Sequence, residues 1–136
     1  VDTNEGRVYF ALDGDDFDPD EVTKFIGIKP TSIMRKGSKA GGKLPKKSSW
    51  AVSTENVVNE YIDVFDMATE IINILKPKKE LIIQAIEQFK VKPRLEVVLW
   101  FSVNEEHSTP AIGFEPETVS FLGEIGAFID IDTYKH

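Results

Sequence analysis

The sequence predicts an α+β fold, a two-layer sandwich related to the ferredoxin-like type, with helices on one face of a mostly antiparallel sheet. Three observations carry this expectation. Over residues 7–103 the elements run strand, helix, strand, strand, helical middle, strand. Apolar spacing is three and four residues in that middle and switches to two after Arg94. Finally, Phe17-Asp18-Pro19-Asp20-Glu21-Val22-Thr23 is echoed 97 positions later by Phe114-Glu115-Pro116-Glu117-Thr118-Val119-Ser120, sharing Phe, Pro and Val. Each copy reads as a helix start, because proline is tolerated in a first turn and acids suit the N-terminal end of the helix dipole. The echo predicts an internal strand–helix–strand pseudo-repeat within a single domain spanning 1–136. Its units cover about 7–36 and 94–134, around a helical middle of about 57–90.

Taken in order, Val8, Phe10 and Leu12 alternate with Tyr9 and Ala11, which predicts a strand over about 7–13. The acidic turn Asp13-Gly14-Asp15-Asp16 ends it, and Asp18 caps a helix carrying Val22, Phe25 and Ile26 on one face. Gly27 stands where a C-terminal glycine belongs. Thr31 to Lys36 is a short extended piece, a basic loop of about 36–48 is expected to be mobile, and Trp50 to Thr54 resumes a strand. Ile62, Phe65, Ala68, Thr69, Ile72 and Leu75 recur at helical intervals until Lys76-Pro77 breaks the helix. A second helix then presents Ile82, Ile83, Ile86 and Phe89. From Arg94, Leu95, Val97, Leu99, Phe101 and Val103 face one way, with Glu96, Val98, Trp100 and Ser102 on the other. This is the strongest strand and a central one, since its second face is also partly apolar. Pro110-Ala111-Ile112 reads as a short edge piece, 115–125 as a helix ended by Gly126, and 127–134 as a final strand. In that strand Asp130 and Asp132 face solvent, and the alternating Phe128, Ile129 and Ile131 are expected to be buried.

With 136 residues, 41% of them hydrophobic and nine of them Phe, the chain can bury a real core. It has no cysteine, which removes disulfides, thiolate catalysis and Cys-based zinc sites and fits a reducing compartment. No apolar run approaches a membrane span and no basic-then-apolar leader opens the sequence, so a cytoplasmic protein without membrane association is expected. Net charge is −7. Residues 35–47 hold Arg35, Lys36, Lys39, Lys43, Lys46 and Lys47 and no acid, and removing those six positive charges takes the remainder from −7 to −13. Such a body repels nucleic acid, whereas the basic loop can attract a phosphate or an acidic partner.

Motifs for chemistry fail on spacing. The acids of 13–21 lack the register of a calcium loop, with Phe17 or Glu21 where a ligand or glycine is required. Gly42-Lys43 is followed by Leu44, so the hydroxyl of a phosphate loop is missing. His107 lies in a polar turn, His136 is the last residue, and no Gly-x-Ser-x-Gly elbow occurs. Asp130 and Asp132 share a strand face and offer the one paired-carboxylate candidate for acid–base or metal chemistry, although their alternation with Ile129 and Ile131 favours a solvated face. No catalytic residue, metal or cofactor is assigned.

The capped helix start at Phe17–Thr23, Gly27 with Pro30-Thr31, the Arg35-Lys36-Gly37 piece leading to Trp50, and the terminal strand Ile129 to Tyr134 together resemble bacterial domain-of-unknown-function family 4279 over nearly the whole chain. The resemblance brings no established activity. It marks Arg35, Lys36, Gly37, Trp50, Asp132 and Tyr134 as candidate binding residues, and a pocket between Lys36, Trp50 and Tyr134 is the feature to look for. The function expected first is a non-enzymatic binding or interaction domain, with a protein partner or self-association through an edge strand. Alternatives are an immunity-type protein that neutralises a basic toxin and, last, a metal-dependent hydrolase using Asp130 and Asp132.

Overall fold

The computed structural model describes residues 2–38 and 45–136; Lys39 and Lys43 of the basic loop lie outside the described residues. The chain folds as β1 (Glu5–Gly14), α1 (Pro19–Ile26), β2 (Ser32–Met34), β3 (Ser48–Ser53), β4 (Val57–Val58), α2 (Val64–Leu75), α3 (Lys79–Phe89), β5 (Lys92–Phe101), α4 (Pro116–Ile125) and β6 (Phe128–Lys135). A 3₁₀ turn, Lys76–Lys78, links α2 to α3 at the predicted Lys-Pro break. The sheet order is β2-β3-β1-β5-β6, with β4 pairing the start of β1. All pairs are antiparallel except β5 with β6.

Four of these strands stand in the order β2-β3-β1-β5, so β3 intervenes between β1 and the strand that α1 connects it to. This is the split β–α–β arrangement expected of a ferredoxin-like relative. β1 and β2 are both antiparallel to β3 and therefore run parallel to one another, while β6 is laid parallel beside β5 by way of α4. Both echoed phrases do start helices. Phe17 and Phe114 pack against the core just ahead of them, and both helices end on a left-handed glycine, Gly27 at φ 80° and Gly126 at φ 74°. The caps differ: Asp18 accepts a 3.0 Å hydrogen bond from the Asp20 amide, whereas Glu115 makes no side-chain cap.

Side-chain alternation divides the sheet. Val8, Phe10 and Leu12 of β1, Trp50 and Val52 of β3, and Leu95, Val97 and Leu99 of β5 are register partners on one face, where they pack with Val22, Ile26, Ala68, Ile71, Leu75 and Ile82 of the helices. Phe25 meets Phe89 edge-on at 5.9 Å between ring centres, which locks α1 to α3. The opposite face carries no helix and is the polar one.

Four expectations are corrected. Ile129 and Ile131 are 37% and 41% exposed because β6 is an edge strand beyond the helix layer, and Phe128, 52% exposed, lies on the helix-free face beside Arg94; alternation fixes which face a residue takes, not whether anything covers it. Val57 and Val58, assigned to the helical middle, form β4. Residues 110–112 do not join the sheet, and Ala111 makes only an isolated bridge to Asp63. Val103 lies past the end of β5 and is exposed.

Three close approaches tie loops to this frame. Asn4, 2% exposed, donates from Nδ2 to the carbonyls of Glu60 (2.6 Å) and Ser108 (2.7 Å) and accepts from the Ser102 amide at 2.8 Å. Before β3, the Gly37 amide donates to the Pro45 carbonyl at 3.0 Å, and the Lys36 amide to Ser48 Oγ at 3.0 Å. Gly113 lies under the ring of Phe65, so a Cβ there would fall 1.9 Å from Phe65 Cζ. Gly113→Ala should therefore cost about 1–3 kcal/mol by displacing that ring. Urea unfolding checks this, with Phe65→Ala expected to absorb most of the added penalty in the double variant.

Candidate functional site

The helix-free face is built from the odd residues of β1 and β3 and the even residues of β5 and β6. Its register rows are Ser53–Tyr9–Glu96–Asp130 and Ala51–Ala11–Arg94–Phe128, with Val98 beside Asp132 and Trp100 beside Tyr134. Arg94 is the hub. Its Nε and Nη2 donate to the two oxygens of Asp13 at 2.9 and 3.2 Å, and Nη1 donates to Tyr9 Oη at 3.2 Å and to Glu96 Oε1. Burial alone would lower the arginine's pKa, but its bonds to Asp13, Tyr9 and Glu96 outweigh it and hold the guanidinium firmly charged. The guanidinium carbons of Arg94 and Arg7 lie 5.4 and 5.8 Å from the centre of the Tyr9 ring, within cation–π range.

Glu96 is the anomaly of the face. It is 1% exposed, flanked by Tyr9 and Asp130, and its Oε2 has no hydrogen-bond partner among the described residues. Burial first, then the neighbouring Asp132 carboxyl and the charge of Asp130, push its carboxyl up to about 7 against the pull of Arg94. One carboxylate oxygen from each of Glu96, Asp130 and Asp132 lies within 4.8 Å of the other two. Beside them Trp100 stacks on Tyr134 with ring centres 5.4 Å apart.

Toward the other edge of the same face a groove of about 670 Å³ opens between β1, β3, β2 and the chain at 45–47. Arg7, Lys46, Lys47 and Arg94 line it together with Tyr9, Ser32, Ser49 and Ser53, against one acid among the described residues, Asp13. Arg7 makes no ion pair among the described residues, so its charge is left to the groove, with the Tyr9 ring as a cation–π neighbour.

The marked residues divide into three places. Arg35 bridges Asp18 (2.9 Å) and Asp20 (2.5 Å) at the start of α1, and its bond holds Asp18 below the usual carboxylate range. Lys36 lies 3.4 Å from Asp15, and Gly37 turns the chain at φ 80°. The basic stretch therefore folds back onto the acidic one. Trp50 is on the helix face, fully buried, with Nε1 donating to Thr23 Oγ1 at 3.0 Å, so it is a core residue that no ligand on the open face reaches. Asp132 and Tyr134 sit on β6, at the opposite sheet edge from β2. The pocket sought between Lys36, Trp50 and Tyr134 does not form, because three strands separate the two edges and Trp50 points the other way.

The residues that reasoning from sequence missed are Arg7, Tyr9, Asp13, Arg94 and Glu96. Asp13 was read as a turn acid, yet it closes β1 and pairs with Arg94, 81 positions away. The one available signal was Glu96 itself, an acid within an otherwise apolar Leu95–Leu99 run.

No helix is long and apolar enough to cross a membrane among the described residues. No curated protein and no solved structure matches the chain. The family model described as a domain of unknown function, DUF4279, matches residues 4–136, essentially the whole sequence, and the chain belongs to that family.

Proposed function

We propose that the protein is a non-enzymatic binding domain that takes an anionic ligand, bearing carboxylate or phosphate groups, in the groove of the open sheet face. The observation that carries this is the groove's lining: four cations and a row of hydroxyls against one acid, in a chain whose net charge is −7. A concave site of this size with convergent polar groups is the usual form of a small-ligand pocket. Arg94 is already satisfied by Asp13 and Glu96, so it positions the face, and Arg7, Lys46 and Lys47 are left to meet the ligand's charge.

The immunity-type alternative draws support from charge alone, and Arg35 and Lys36 neutralise part of the acidic turn internally. A metal-dependent hydrolase would have its carboxylates in the acid cluster, but none of those three acids lines the groove that would take a substrate.

Thermal shift with inorganic phosphate, citrate and a short oligoglutamate peptide tests the reading. At least one probe is expected to raise the melting temperature saturably at low salt, and Arg7→Glu with Lys47→Glu should abolish the rise without lowering the unliganded melting temperature by more than a few degrees. No shift with any probe, or a shift indifferent to those substitutions, would defeat it.

A further inference from the structure

We propose that Glu96, Asp130 and Asp132 form a binding site for a hard divalent cation, with calcium the best fit. This goes beyond the ligand groove, which none of the three residues lines. Their convergence follows from register. Glu96 and Asp130 are direct partners across the parallel β5–β6 ladder, and Asp132 is two residues further along the same face. The 4.8 Å span that contains one oxygen from each is the widest separation open to two ligands of one calcium ion, about twice a 2.4 Å bond.

Clustered acids alone would not make a site. The second observation is the orphaned Oε2 of Glu96, buried and without a donor among the described residues. Arg94 holds Oε1, so Oε2 is the oxygen left to the aspartate pair. A desolvated carboxylate oxygen facing two more carboxylates is unfavourable, and a cation ligated there reverses the sign of the interaction. Arg94 cannot do so fully, because it also neutralises Asp13. Asp130 is exposed and Asp132 half-buried, so water can reach the ion and complete its shell. An all-oxygen donor set selects calcium, magnesium or manganese over zinc or copper. With only three protein ligands, the expected dissociation constant is about 10⁻⁴ to 10⁻³ M.

Calorimetric titration of CaCl₂ and MgCl₂ into chelator-treated, dialysed full-length protein at pH 8 tests this. One saturable site is expected, tighter for calcium. Asp130→Asn, which alters an exposed side chain, and Asp132→Asn should each weaken it about tenfold or more. Asp16→Asn, in the separate acidic turn, should leave it unchanged. Manganese should broaden the amide resonances of 95–98 and 129–133 first. No saturable heat up to about 10 mM, at least tenfold above the expected constant, would overturn the proposal. So would binding that survives the Asp130→Asn, Asp132→Asn double variant, or broadening centred on residues 13–20.

Discussion

Arg94→Ala is expected to destabilise the fold by about 3 kcal/mol at pH 8. The cost comes from what the substitution leaves behind. Asp13 and Glu96 lose a shared cation, and Glu96, nearly sealed from water, then carries an uncompensated charge beside Asp130 and Asp132. At pH 5 the penalty should shrink to roughly half, because Glu96 can take up a proton instead. The wild type should show a related slope in chelator-containing buffer. The Glu96 carboxyl is raised from 4.5 to about 7, so between those values the folded state holds a proton that the unfolded state has lost. Its contribution to stability is therefore full below about pH 4.5 and is lost as pH rises through 7, amounting to at most about 3 kcal/mol. Urea unfolding from pH 5 to 8 checks the sign, and Glu96→Gln, which keeps the shape without the titration, should flatten the difference. A stability that increases from Glu96 across that window would refute this account of the face.

Trp50→Ala should be the most damaging single change in the core, at about 3–5 kcal/mol. Trp50 is the largest fully buried side chain, opposite Leu12 and Ile33 across the sheet and bonded to Thr23 of α1. Its removal opens a cavity between β3 and α1 and takes a large share of the roughly 5–15 kcal/mol that holds a domain folded. Trp50→Phe keeps the apolar packing and loses the Nε1 hydrogen bond, so about 1–2 kcal/mol is expected. The decisive comparison is between stability and binding. Trp50→Phe should leave any anion affinity of the groove unchanged, whereas a ligand-contacting tryptophan would lose affinity in proportion to lost stacking. Equilibrium unfolding and titration of the same variant separate the two.

What was legible in the sequence was local. Asp18, Pro19 and Gly27 specify cap, first turn and left-handed end within ten residues, and α1 runs as they require. Leu95, Val97 and Leu99 set the period of β5, and their face is the core face. What could not be read depends on partners distant in the chain. An acid inside the apolar Leu95–Leu99 run signals that something must compensate it, but nothing local says that Arg94, Asp130 and Asp132 are what close over Glu96. Ile129 and Ile131 have the pattern of buried residues, but only tertiary placement decides whether a helix lies above them. Asn4 looks like tail composition until its amide is seen bridging residues 60, 102 and 108. Trp50 stood out for its family resemblance, and the resemblance marks a packing requirement as readily as a contact surface.

The clasp formed by Gly37 with Pro45 and by Lys36 with Ser48 has a practical outcome. Both bonds join the chain leaving β2 to the chain entering β3, so the pairing of these two strands is pinned at that neck. A small fluorophore carried at position 45, beside Lys46 and Lys47 in the groove lining, would report by its emission on whatever enters.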